Sequence, residues 1–282
     1  MEVDKIKENI EKTFDIWPNN SLSNFPVNIQ ELFNKFLFGL NTGIIRAAEK
    51  MDDKWITNLW VKKGILLLFR FGTLIEIKNN NFTFFEKNTI GLKKITLNDE
   101  VRIVPGGSFI RDGSFIGKGV ICMSPMYVNI GAYIDNSSLI DSNALVGTCA
   151  QIGKNVHISA GTQIGGVLEP IGANPVIVED NVLLGGSSGI YEGVIIKQNA
   201  VISSGVILNS STKVYDLVYN EIIESNENNP LIIPENAVVV QGTRGIKSEW
   251  GIANNLSIST PLIIKYRDNK TNYKIKLEKE IR

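Results

Sequence analysis

The chain has 282 residues, and 29 Lys and Arg balance 29 Asp and Glu, so composition points to neither nucleic acid nor an anionic membrane surface as partner. Only two cysteines, Cys122 and Cys149, argue against a disulfide framework, and a reducing, cytoplasmic setting is expected. Apolar runs such as GILLLF fall far short of a membrane span, and the charged start MEVDKIKENIEKTF has no apolar signal core.

Residues 1 to about 100 read as a mixed α/β domain. KIKENIEKTFDIW and NIQELFNKFLFGL carry apolar residues at helical spacing, and Pro26 precedes the second as at a helix entry. TGIIRAAEK is short and helix-compatible. KWITNLWVKKGILLLFRFG reads as a helix followed by a strand.

From about Val101 a different period takes over. An inward-type residue returns at every sixth position: Val104, Ile110, Ile116, Cys122, Val128, Ile134, Ile140, Val146, Ile152, Ile158 and Ile164. Neither the helical nor the simple strand period explains this, so it is an internal repeat. The phase breaks across GVLEPIGANP and resumes, displaced by two, at Val178, Leu184, Ile190, Ile196, Ile202, Leu208 and Val214. The physical reading is a prism. Each hexamer is a short strand plus a turn, three hexamers close a coil of roughly 18 residues, and coils stack by parallel hydrogen bonding. Cys122, Ile140 and Ile158 then share one inward column. The expected organisation is a domain over 1–100, a prism over 101–214 with an ejected loop at 166–175, and a C-terminal β extension over 215–282. In that extension AVVV, PLIIKYR and NYKIKLEKEI read as strands.

These aliphatic-led hexapeptides resemble the hexapeptide acyltransferases. The resemblance implies a mainly β fold, a left-handed parallel β-helix, and homotrimers that bind acyl-CoA between neighbouring prisms. Within that class MYVNIGAYID, DSNALVGTCAQIGKNVHISAGTQIGGVLEP and ANPVIVEDNVLLGG resemble the tetrahydrodipicolinate N-succinyltransferase family of the diaminopimelate and lysine pathway. GIIRAAEKMDDKWITNLWVKKGILLLFR and VRIVPGG are similar to that family too. What it implies is transfer of the succinyl group of succinyl-CoA to tetrahydrodipicolinate, giving N-succinyl-2-amino-6-oxopimelate. Succinyl-CoA is then a co-substrate, and no permanently bound cofactor or metal is expected.

Such acyl transfer needs a cation for the acceptor's carboxylates, a group that orients or deprotonates its amine, and donors for the tetrahedral oxyanion. The resemblance assigns Asp141 to the amine and Arg102 to a carboxylate, which a guanidinium grips through two parallel hydrogen bonds. On position alone Asp141 reads as a turn residue like Asp135, and Arg102 as a surface arginine; Arg111 is a weaker alternative. Much of the family has a glutamate where this chain has Gly189, so the second acid is open. Glu192 is the nearest candidate, although three residues along a hexapeptide put it half a strand away. For acyl-CoA the expected residues are Gly165, Gly166 and Glu169 at the ejected loop and Ser203, Ser204 and Gly205 further along. His157, the single histidine, is expected to serve structure, and one histidine cannot supply the three zinc ligands of the carbonic-anhydrase version of this fold. Two alternatives stand beside succinyl transfer. One is an acetyl-CoA-dependent acyltransferase on the same or a related acceptor, and the other is a prism that serves as a catalytically weak scaffold.

Overall fold

The computed structural model describes residues 2–17, 28–79, 82–226 and 229–267. Pro26 and the NYKIKLEKEI segment lie outside them.

The first helix, α1 (Val3–Ile16), buries Ile6, Ile10 and Thr13 along one face. The second, α2 (Ile29–Asn41), begins at Asn28, whose side chain accepts the Glu31 amide at 3.2 Å and so satisfies one donor of the first turn. These two and α3 (Leu59–Phe71) close over a core of Ile10, Phe33, Phe36, Ile65 and Leu68. Two expectations need correction here. The AAEK end of TGIIRAAEK is not helical: β1 (Ala48–Met51) pairs antiparallel with β2 (Lys54–Thr57). KWITNLWVKKGILLLFRFG is strand then helix, the reverse of the expected order. Lys54, Trp55, Ile56 and Thr57 alternate between exposed and half-buried, which is the strand period, and the helical face starts only at Leu59. A second hairpin, β3 (Leu74–Asn79) and β4 (Phe82–Lys87), completes the domain.

The prism follows as the repeat requires, as a left-handed parallel β-helix. Its two-residue strands stack into three parallel ladders. One face carries the inward column Ile116, Ile134, Ile152, Val178, Ile196 and Ile233. The second carries Cys122, Ile140, Ile158, Leu184, Ile202 and Val239, with the expected alignment of Cys122, Ile140 and Ile158. The third carries Ile110, Val128, Val146, Ile164, Ile190 and Leu208. These columns form one continuous buried core. Burial pushes the Cys122 and Cys149 thiols up to about 12, at Cys149 against the opposing Lys62 charge, so both stay protonated, and neither forms a disulfide. Corners recur three residues after an inward residue and take positive φ, as at Gly131 (76°) and Gly161 (71°), which is why Gly, Asn and Ser repeat there.

The period misleads at both ends. At the entrance Ile103, not Val104, pairs with Cys122, so the first coil holds one extra residue. At the exit Val214 leaves the ladder for a strand beside Leu262–Tyr266, and Ile233 takes the place above Ile196. The parallel stack therefore continues through Ala237–Val240, beyond the expected limit at 214. Leu262–Tyr266 pairs antiparallel with that last strand, and no helix among the described residues is long and apolar enough to cross a membrane.

Domain and prism are joined by polar contacts on the first face. Glu179, only 7% exposed, accepts Trp55 Nε1 at 2.9 Å and the Gln198 amide at 3.1 Å, and faces Lys50 at 3.1 Å and Lys197 at 3.6 Å. Burial alone would raise its carboxyl, but the bonds from Trp55, Lys50 and Gln198 and the Lys197 charge outweigh it and hold it below the usual carboxylate value. A depressed folded value stabilises the protein above the unfolded value, near 4.5, and that contribution is lost as pH falls through the folded one. Glu179→Gln should therefore cost about 2 kcal/mol at pH 7. Urea midpoints taken from pH 7 down to pH 3 should show the gap to the wild type narrowing below about pH 4.5.

Candidate functional site

Register places the expected site residues on two different corners of the prism. Backbone bonds from Asp141 to Ile158, Ser159 to Leu184, Gly185 to Ile202 and Ser203 to Val239 define one line of the stack, at the corner between the second and third faces. Asp141, Ser203, Ser204 and Gly205 share this corner. Arg102 lies on the second face, in the column of Ile121 and Leu139, and is exposed. It stands two rungs from Leu139, about 10 Å along the axis. Asp141 and Arg102 are thus brought to one side of the molecule.

Asp141 differs from Asp135 in a way the sequence does not reveal. Each carboxylate accepts the next residue's amide at 2.7 Å, the local turn bond. The other oxygen of Asp135 accepts from the Tyr133 hydroxyl at 3.4 Å, whereas nothing among the described residues bonds the second oxygen of Asp141. Asp141 therefore has one oxygen fixed by the backbone and one open to a ligand. Arg102 has no partner among the described residues, while Arg111, the alternative, is paired with Glu86 and held away from any such task.

Gly165, Gly166, Glu169 and Glu192 lie on the other corner, between the third and first faces. Glu192 is engaged there: its carboxylate accepts both the amide and the hydroxyl of Ser210, one rung on. Asp141 and Glu192 thus lie on different corners of one prism. Gly165 and Gly166 have packing reasons of their own. A Cβ at Gly165 would sit 2.8 Å from the Tyr191 ring, and one at Gly166 would sit 2.7 Å from the Thr148 amide. The Tyr191 ring and the Thr148 backbone thus occupy the Cβ directions of these two glycines. Glu169 is exposed on the loop. The loop itself is fastened to the N-terminal domain: the fully buried Lys62 donates to the Ala173 carbonyl, Thr57 bonds Asn174 at 2.8 Å, and Leu168 packs against the helical core. Burial lowers the pKa of Lys62, so the loop is tied by a desolvated amine.

At the Asp141 corner Gln241 donates to the Ser204 carbonyl at 3.0 Å and lies across Gly205. His157 sits half-buried between Leu139 and Leu183 in the second-face ladder, and its own backbone amide bonds Val182. Among the described residues no three His, Cys, Asp or Glu side chains group as metal ligands. The sequence reading missed Lys62 and Tyr191. Lys62 stands inside an otherwise apolar helical face, the first of two adjacent lysines in WVKKGILLLF and the one that is buried. Tyr191 gave no signal of its own.

Stacked aliphatic hexapeptides with an ejected loop define a hexapeptide-repeat prism, and its family matches place it among the transferases. Residues 5–71 match the family model for the N-terminal part of tetrahydrodipicolinate N-succinyltransferase, and residues 175–210 match that for the hexapeptide repeat of succinyl-transferase. The chain is 41% identical to the 2,3,4,5-tetrahydropyridine-2,6-dicarboxylate N-succinyltransferase of Buchnera aphidicola subsp. Baizongia pistaciae, over 98% of this chain and 97% of that one. Proteins of the same name from Ralstonia pickettii and Legionella pneumophila (strain Corby) are 43% and 44% identical, each over 97% of this chain and 96% of theirs. This chain belongs to the tetrahydrodipicolinate N-succinyltransferase family.

Proposed function

We propose that the protein transfers the succinyl group of succinyl-CoA to tetrahydrodipicolinate, the step of diaminopimelate and lysine biosynthesis that yields N-succinyl-2-amino-6-oxopimelate. The observation that carries this reading is end-to-end similarity to N-succinyltransferases, on a fold whose outward corner holds Asp141 with one oxygen free. One water adds across the acceptor's cyclic C=N bond and the ring opens, leaving a primary amine and the 6-oxo group; that amine nitrogen attacks the thioester carbon, the N–C bond forms and the C–S bond breaks. The proton leaves nitrogen for the free oxygen of Asp141 and returns to the CoA sulfur, so CoA departs as the thiol. Arg102 grips one acceptor carboxylate, for which an always-charged planar fork is suited. Ser203, Ser204 and Gly205 line the course of the acyl-CoA along the Asp141 corner. Loop 166–175, with Glu169 at its exposed edge, covers it from the other.

One prism presents Asp141 and the loop on different corners, so a complete site takes two chains. A homotrimer, in which the Asp141 corner of one prism faces the third face of the next, satisfies this. A thiol-release assay tests the reading. Succinyl-CoA should liberate CoA only when tetrahydrodipicolinate is added, and acetyl-CoA, which lacks one methylene and the terminal carboxylate, should do so at least tenfold more slowly, since one missing methylene alone is worth about 10-fold or more. Equal rates with both donors would overturn the donor, and no release with either would favour the scaffold reading.

A further inference from the structure

Gly189 stands on the outer side of the third face, directly before the inward Ile190. Its place is not empty. A Cβ there would meet Tyr191 Cε2 at 2.5 Å and Tyr191 Oη at 2.9 Å, as well as Ile207 at 2.9 Å. The same ring lies 2.8 Å from a Cβ at Gly165, one rung away. Tyr191 therefore folds back along its own strand across two glycines. Neither glycine accepts even a methyl group without moving the ring. The fold-back carries the hydroxyl from the loop-bearing corner toward the corner that holds Asp141, Ser187 and Ser203.

That hydroxyl has no partner among the described residues, although the residue is half-buried. A phenol held by packing usually finds a hydrogen-bond partner, so an unpaired one on an outward face is set for a ligand. Neighbouring polar groups are already engaged. The Gln163 amide, beside Gly189 on the next rung, donates to the carbonyls of Asn143 and Gly161, each at 3.3 Å. Glu192 is bonded to Ser210.

Resting on the succinyl-transfer reading above, we propose that the Tyr191 hydroxyl donates a hydrogen bond to the thioester carbonyl oxygen of bound succinyl-CoA. It keeps that bond as the carbonyl pair moves onto oxygen in the tetrahedral intermediate. Tyr191 retains its proton throughout; the proton that moves is the acceptor's, through Asp141. Within one chain Gly189 and the Asp141 corner are two rungs apart, about 10 Å. The two groups therefore act on one substrate only when Asp141 comes from the neighbouring prism, as in the trimer. The pair of glycines is then a specificity device of this chain: it makes room for a neutral donor on an otherwise aliphatic strand.

Tyr191→Phe keeps the ring and its packing and removes only the donor. Full-length Tyr191→Phe should lose about 100-fold in kcat, the scale for one oxyanion donor, with KM for succinyl-CoA changed less than about threefold. A second readout does not depend on turnover. Infrared difference spectra of carbonyl-labelled succinyl-CoA bound without acceptor should show the thioester C=O stretch lowered in the wild type and raised again in Tyr191→Phe. Normal kcat in the variant, or an unchanged stretch, would overturn the role of Tyr191 while leaving succinyl transfer intact. If the wild type neither binds nor turns over succinyl-CoA, the succinyl-transfer reading fails, and the Tyr191 proposal falls with it.

Discussion

Asp141→Asn should lower kcat by about 100- to 1,000-fold while leaving the fold intact. The two halves of this expectation come from the two oxygens. The one that accepts the Ser142 amide at 2.7 Å survives as the asparagine carbonyl, so the turn and the rung above it are kept. The other, free of any partner among the described residues, becomes an NH2 group that cannot take the acceptor's proton. The melting temperature should stay within about 3 °C of the wild type, which corresponds to roughly 1 kcal/mol in a chain of this size. Steady-state kinetics with succinyl-CoA and tetrahydrodipicolinate would check it. Unchanged turnover would reduce Asp141 to a turn residue like Asp135. The matching change Asp135→Asn, on another corner, should leave kcat within about twofold.

Gly147→Ala should be the most damaging conservative change in the prism. A Cβ at Gly147 would sit 2.2 Å from the Gly166 amide nitrogen and 2.6 Å from the Gly165 carbonyl carbon. Both are backbone atoms of the next rung, so no rotamer change relieves the clash; the rungs themselves must part. Overpacking of a close-packed interior costs about 1–3 kcal/mol, and contact with backbone puts this change at the upper end. A loss of about 3 kcal/mol lowers the melting temperature by roughly 10 °C. The displaced atoms are also the root of loop 166–175, so KM for succinyl-CoA should rise several-fold in whatever protein remains folded. Gly172, in the middle of the same loop, has nothing within 4 Å of its Cβ position. Gly172→Ala should change the melting temperature by less than about 2 °C, which separates rung clash from loss of a loop glycine. Equal melting temperatures for the two variants would contradict this packing.

What could be read from the chain alone follows from how each feature is encoded. The ladders are a property of single residues at a fixed spacing, so Cys122, Ile140 and Ile158 could be aligned directly. The errors fall where spacing persists but pairing does not. Val104 and Val214 are the right residue type at the right interval, yet an extra residue after Ile103 and a chain that turns away after Leu208 place others in the column. Such shifts arise from hydrogen bonding between rungs, which one strand's sequence does not carry. In the N-terminal domain the period of Lys54–Thr57 is too short to separate from the helical run that follows it.

For the site the split is similar. Asp141 and Arg102 enter as candidates only through the family's motifs. That Asp141 has a free oxygen, and Asp135 does not, depends on Tyr133 two residues before the latter. Gly165 and Gly166 carry no sign in the sequence of what lies along their Cβ directions. Here the occupants, the Tyr191 ring and the Thr148 backbone, come from other rungs. The same packing explains why Gly189 is glycine: Tyr191 already fills the place.

Succinylation of tetrahydrodipicolinate is the reaction expected of this prism. Mass spectrometry of the product tests it most directly, after the purified full-length protein has been incubated with succinyl-CoA and tetrahydrodipicolinate. A single new species with the mass of N-succinyl-2-amino-6-oxopimelate, formed in step with free CoA, is the expected result. CoA release without that species, or no change in the acceptor at all, would contradict it.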